Sequence, residues 1–93
     1  MKKILFLNEA HPILPNQLEA AGLECHFDYT STATDLMEKI ASYQGLVLRS
    51  RITVDSTLID AAPQLEFIAR EGVGVEHIDV EYAKQKGIRV LTS

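Results

Sequence analysis

The sequence predicts an α/β domain built as a doubly wound parallel sheet of five strands in the order 2-1-3-4-5. Three observations carry this. Short apolar runs recur along the 93 residues, at 3–7 and 46–49 with the hydrophobicity of strands buried on both faces, and 65–70 adds a further strand segment. Between the strand segments lie stretches whose apolar residues fall at helical spacing, bounded by capping residues, glycine or proline. The two patterns alternate strictly, and single helices between successive strands force parallel pairing with right-handed crossovers.

The elements follow in order. "KILFL" (3–7) is the first strand. "NEAHPILPNQLEAAG" holds a short helix, with Pro15 suited to its first turn and Gly22 as its stop. "CHFDY" (25–29) alternates polar and apolar, as expected of an exposed edge strand. "TATDLMEKIASYQG" reads as an amphipathic helix with Leu36, Met37, Ile40 and Ala41 on one face, Thr34 or Asp35 as cap and Gly45 as its end. "LVLR" (46–49) is a buried strand. "VDSTLIDAAP" is a short helix capped by Asp55, with Leu58, Ile59 and Ala62 inward and Pro63 as the stop. "LEFIAR" (65–70) is a strand, "DVEYAKQKG" (79–87) a helix capped by Asp79 and closed by Gly87, and "IRVLT" (88–92) the last strand. The helix that would ordinarily follow and cover strand 5 does not appear before Ser93, so a fragment of a larger protein is expected.

Composition narrows the function classes. The length suits one small domain, and 46% hydrophobic with 24% charged residues is ordinary globular composition. A net charge of −4 argues against a nucleic-acid or anionic-membrane surface, which needs a basic field. A single cysteine, Cys25, excludes an internal disulfide and reads as a small strand residue. "MKKILFL" opens like a signal peptide, but its apolar run is too short for one, and nothing reaches transmembrane length. A cytoplasmic protein is expected.

In a doubly wound sheet, ligands bind beyond the carboxyl ends of the strands, where the winding reverses. Here that brings together Asn8-Glu9-Ala10-His11, Arg49-Ser50-Arg51, and the loop from Arg70 to His77. These loops make a locally basic rim in an acidic protein, suited to a carboxylate or phosphate. Arg49 and Ser50 can donate to such an anion; solvated surface arginines with a loop serine are the other reading, and both stay open. The stretch "IAREGVGVEHID" carries two glycines after a strand, but His77 stands where a G-x-G-x-x-G fingerprint has its third glycine. The strand is also the fourth rather than the first, which further disfavours a dinucleotide loop. Gly72 and Gly74 can instead turn the amides of residues 72–75 toward the cleft as an anion-binding nest, or simply reverse the chain. His11, His26 and His77 have neither an adjacent nucleophile nor metal-ligand spacing and read as structural; no metal site and no catalytic residue is assigned.

The segment "GLVLRSRITVDSTLIDAAPQLEFIAREGVGVEHIDVEYAKQKGIRVLTS" (45–93) resembles the D-isomer-specific 2-hydroxyacid dehydrogenases, and among them the phosphoglycerate type. The residues carrying the resemblance are R-S after strand 3, the A-A-P-x-L helix end, and the run R-x-G-x-G-V-x-x-I-D-V-x-x-A-x-x-x-G-I. The N-terminal half is similar in pattern only. The resemblance implies a flavodoxin-like substrate-binding (catalytic) domain, of which residues 1–93 are the N-terminal segment. It implies an NAD-binding Rossmann domain outside this chain, so that NAD would be bound there and the fragment alone would be inactive. It implies that the amides around Val73, Gly74 and Val75 hold the substrate carboxylate, and that Arg49, Ser50 and Arg70 line the substrate side. The substrate would be a small 2-hydroxy or 2-oxo acid, 3-phosphoglycerate above all, in amino-acid (serine) biosynthesis, and the full-length protein a homo-oligomer. Glu71 departs from the family's usual small residue, and Glu76-His77 from its usual Asp-Asn. The alternative of another class is a free-standing anion-binding or regulatory module of the same fold.

Overall fold

A computed structural model of the chain describes residues 2–49, 52–71 and 77–92. Five parallel strands form one sheet in the order β2-β1-β3-β4-β5, as the alternation of patterns requires. The strands are β1 (Lys3–Phe6), β2 (Glu24–Phe27), β3 (Gly45–Leu48), β4 (Phe67–Arg70) and β5 (Arg89–Thr92). The helices are α1 (Ile13–Ala20), α2 (Ala33–Lys39), α3 (Ser56–Asp60) and α4 (Val80–Gln85), with a 3-10 turn at Ile40–Ser42 continuing α2. In register, Ile4 lies beside Cys25 and Gly45, and Gly45 beside Phe67.

Side-chain alternation splits the sheet into two unequal faces. Leu5, Leu46, Leu48 and Ile68 face the larger core, where Leu36, Leu58, Ile59 and Ala83 of α2, α3 and α4 pack on them. Ile4, Phe6 and Val47 face the smaller core, covered by Leu14 and Leu18 of α1 and by Leu23. The central strands β1 and β3 are buried on both faces, and β2 sits at the polar edge that its alternating pattern indicates. The other edge is barer. An apolar groove of about 300 Å³ runs between α1 and the far strands, floored by Val47, Phe67 and Leu91, and Leu91 is 50% exposed.

The caps bear out the sequence in two helices and correct it in a third. Asp55 accepts from the Leu58 amide at 3.0 Å, and Asp79 from the Tyr82 amide at 3.1 Å. In α2 the cap is Thr32 rather than Thr34 or Asp35. Thr32 accepts from the Asp35 amide while the Asp35 carboxylate reaches back to the Thr32 amide, a reciprocal capping box that spares two orphan N–H groups instead of one. Leu36 and Ile40, four residues apart on one face, are fully buried, whereas Met37 and Ala41, each one residue further round, stay outside the core. Gly22 and Gly87 take φ of +90° and +78°, ending α1 and α4 in the left-handed conformation that glycine adopts without penalty. Gly45 does not end α2; it opens β3. A Cβ there would meet Ile4 Cδ1 at 2.7 Å and two Phe67 ring atoms closer still, so the position needs glycine for space.

Candidate functional site

The site is built where β1 and β3 end side by side and the chain winds away in opposite directions, β1 through α1 and on to β2, β3 through α3 and on to β4. Backbone pairing continues one residue past the strands: Leu7 N–H donates to the Val47 carbonyl at 2.8 Å, and Glu71 N–H to the Leu48 carbonyl at 3.0 Å. The loops therefore leave the sheet already aligned.

Two ties hold them together. The Arg49 amide donates to the side-chain oxygen of Asn8 at 2.7 Å, fastening the turn after β3 to the turn after β1. Farther out, Val54 and Ile78 form an isolated parallel bridge, with Val54 N–H donating to the His77 carbonyl at 2.6 Å and Asp79 N–H to the Val54 carbonyl at 2.9 Å. That bridge sets the loop after β3 against the loop after β4. Of the anticipated site residues, Arg49 and Arg70 are described, whereas Ser50, Val73, Gly74 and Val75 lie outside the described residues, as does Arg51.

Arg49 lines a cavity of about 430 Å³ with Glu9, Ala10, His11 and Pro12, at the carboxyl end of the sheet. Such a volume lies within the range of small-molecule sites. Its wall brings together a guanidinium, an imidazole and a carboxylate, and it abuts the start of α1, whose first turn contains no acid to offset the helix dipole. The Ile13 amide donates to His11 Nδ1 at 3.2 Å, so a neutral ring carries its proton on Nε2 and presents a donor. A larger cavity of about 510 Å³, lined by Lys2, Gln44, Gln64 and Glu66, lies at the opposite, amino end of the strands. Its polar groups already satisfy one another, Lys2 with Glu66 at 2.7 Å and Gln44 with Gln64 at 2.9 Å, so it offers a ligand few free partners.

Arg70 occupies the last position of β4 and does not line the Arg49 cavity. It follows Ile68 by two residues and so shares the three-helix side of the sheet, while Arg49 follows Val47 on the α1 side. Its Nη1 donates to the Glu71 carbonyl at 3.3 Å, and its Nε is shut off from solvent with no acceptor among the described residues. A buried donor left unpaired is costly.

Two residues that the sequence placed on the converging loops were given no role there. Asn8 acts across 41 positions of chain, a distance no local pattern reveals. His11 read as structural because no partner stands beside it in sequence; its place on the cavity wall depends on where α1 begins. The other two histidines make contacts elsewhere. His26 bridges the Tyr43 hydroxyl, at 2.7 Å, and the Glu24 carboxylate at the β2 edge. His77 offers its carbonyl to the Val54 bridge. The Cys25 thiol points at the Pro15 carbonyl, and burial pushes its pKa up. Among the described residues no group of histidine, cysteine, aspartate and glutamate could hold a metal ion, and no helix is long and apolar enough to cross a membrane.

Comparison with known proteins gives this geometry a context. Residues 4–93 match the family model described as the D-isomer specific 2-hydroxyacid dehydrogenase, catalytic domain. A D-3-phosphoglycerate dehydrogenase of Methanocaldococcus jannaschii is 40% identical over all of this chain, which covers 18% of that protein. A hydroxypyruvate reductase of Thermotoga maritima is 38% identical over 91% of the chain, covering 26% of the relative. Among solved structures, the NAD+-bound 3-phosphoglycerate dehydrogenase of Entamoeba histolytica superposes with a TM-score of 0.86 at 28% identity, over 98% of this chain and 32% of that one. The chain thus spans only a fraction of the length of the proteins it matches.

Proposed function

The chain belongs to the D-isomer-specific 2-hydroxyacid dehydrogenase family, and from that premise we propose that residues 1–93 are the N-terminal segment of the substrate-binding domain of an NAD-dependent dehydrogenase acting on a D-2-hydroxy acid, with 3-phosphoglycerate as substrate. The observation that carries the proposal is Arg49. Within a family defined by its acid substrates, this residue stands at the reversal of winding, in a cavity of ligand size, with its backbone held by Asn8. A guanidinium there can take a carboxylate or phosphate through two parallel hydrogen bonds.

Arg49, Ser50, Arg70 and the amides around Val73, Gly74 and Val75 form the proposed binding set. Arg70 enters the set on the family resemblance alone, from the three-helix side of the sheet and outside the Arg49 cavity; the Val54–Ile78 bridge, which sets the loop after β3 against the loop after β4, supports drawing both loops into one site. The chain's own work is to hold the acid by its oxygens and orient C2. NAD, when bound, accepts the hydride from that carbon. The residues here do not fit the dinucleotide: the glycines follow β4, and His77 stands at the third glycine position. We therefore place the nucleotide on sequence outside this chain. A soluble, cytoplasmic homo-oligomer acting on a small acid, with neither nucleic acid nor membrane as partner, completes the proposal.

The test is NADH formation from 3-phospho-D-glycerate and other D-2-hydroxy acids by the full-length protein, beside the 93-residue chain alone. Turnover by the full-length protein and none by the short chain is expected. A full-length protein that oxidises no D-2-hydroxy acid overturns the proposed activity; turnover by the short chain overturns the division of labour.

A further inference from the structure

We propose that His11, on the turn between β1 and α1, is a specificity-determining residue that receives the distal oxyanion of the substrate, the group at the end of the acid remote from its C1 carboxylate. The inference rests on the substrate-binding reading of this face and adds to it a side chain from the far loop.

The cavity that holds Arg49 is walled on its other side by the turn of residues 9–12. Within that turn, His11 presents Nε2–H as a donor with no partner among the described residues, because its Nδ1 is taken up by the Ile13 amide. That same bond orients the ring, so its donor direction is set before any ligand arrives. The start of α1 adds a positive dipole end with no acid in the first turn. The carboxylate of Glu9 lies on the same wall and opposes any anion. Bulk charge therefore does not select the ligand; directional donors do, and His11 and Arg49 are the cavity's two side-chain donors among the described residues. Asn8 precedes the turn and binds the Arg49 amide, so both donors ride on loops tied by a single hydrogen bond. The ligand that fits is an acid with a second oxyanion, a phosphate or carboxylate, a few bonds from the first.

The experiment compares 3-phospho-D-glycerate with D-glycerate, which differ only in the distal phosphate, using the full-length protein and its His11→Ala, His11→Gln and Arg49→Ala variants. Calorimetric binding of inorganic phosphate to each protein supplies a readout that needs no turnover. His11→Ala is expected to raise KM for the phosphorylated acid about tenfold, the scale of one lost hydrogen bond to a charged group, with little change in kcat. The preference for the phosphorylated over the plain acid falls by the same factor. Gln keeps a side-chain N–H donor and restores much of both. Inorganic phosphate binds more weakly to the Ala variant in proportion.

Equal losses on both acids, or none on either, overturn the inference, as does a wild-type enzyme with no preference for the phosphorylated acid. Phosphate affinity independent of His11 overturns it even if the dehydrogenase reading stands. Conversely, His11-dependent phosphate binding in a full-length protein that oxidises no D-2-hydroxy acid sustains this inference while the proposed activity fails.

Discussion

Gly45→Ala is expected to destabilise the chain although alanine is ordinarily the better residue in a strand. The gain from reduced backbone freedom is roughly 0.5–1 kcal/mol. Against it stands the space. The added methyl would lie 2.7 Å from Ile4 Cδ1 and still nearer two atoms of the Phe67 ring, where an ordinary carbon contact needs about 3.5–4 Å. Ile4 Cδ1 ends a flexible side chain and can swing, but Ile4 is fully buried and has little room. Phe67 is half-buried and can turn only by leaving the groove beside α1. Overpacking of this kind costs about 1–3 kcal/mol. Net destabilisation of about 1–2 kcal/mol follows, a fall in melting temperature of roughly 5–15 °C for a domain this small. Urea unfolding followed by far-ultraviolet circular dichroism measures it. Phe67→Leu shortens the ring that the methyl strikes, so the double variant should lose less than the sum of the singles, by about 1 kcal/mol. A Gly45→Ala variant as stable as the parent, or strict additivity with Phe67→Leu, refutes the reasoning.

Four further outcomes are expected. Arg49→Ala should weaken binding of the substrate acid to the full-length protein by about 1–3 kcal/mol, measured calorimetrically; unchanged binding removes Arg49 from the site. Asn8→Ala removes the 2.7 Å bond to the Arg49 amide and should raise KM several-fold through loss of loop alignment, with a stability cost of only about 0.5–1.5 kcal/mol because the pair is exposed. Leu58→Ala empties a side chain that is 2% exposed in the larger core and should cost about 2–5 kcal/mol in urea unfolding. Asp28 sets a pH dependence. The Lys39 ammonium at 2.7 Å, then the Ser31 hydroxyl and amide, hold its carboxyl well below the usual carboxylate range. A pKa lower in the folded than in the unfolded state stabilises above the unfolded value of about 4 and is lost as pH falls through that value and below. Asp28→Asn should therefore melt lower than the parent at pH 7, with the gap narrowing as pH falls below about 4.

Much of the fold was legible because it is written in local periods. Continuous apolar runs at 3–7 and 46–49 marked the central strands, the alternating "CHFDY" marked the edge, and Asp55 and Asp79 announced their helices. Each of these is a statement about neighbours within a turn or a pleat. The sequence offered Thr34 or Asp35 as the cap of α2, and the reciprocal bond between Thr32 and Asp35 moved it to Thr32. Gly45 looked like a helix stop because glycine commonly is one. Its true demand came from Ile4 and Phe67 on the strands to either side.

By itself, then, the sequence determined the alternation of strands and helices, and with it the parallel sheet, its polar edge and the end of the sheet where the binding site is proposed. Its 45–93 string also determined the family to expect. Only the tertiary structure decided which side chains share a cavity. Asn8 meets Arg49 across 41 residues, Val54 meets Ile78 across α3 and β4, and His11 joins Arg49 in a cavity that Arg70 does not line. The physical reason is one of range. Periodicity records the few residues that share a turn or a pleat, whereas a binding site is made by loops from separate strands, brought together by the register of the sheet between them.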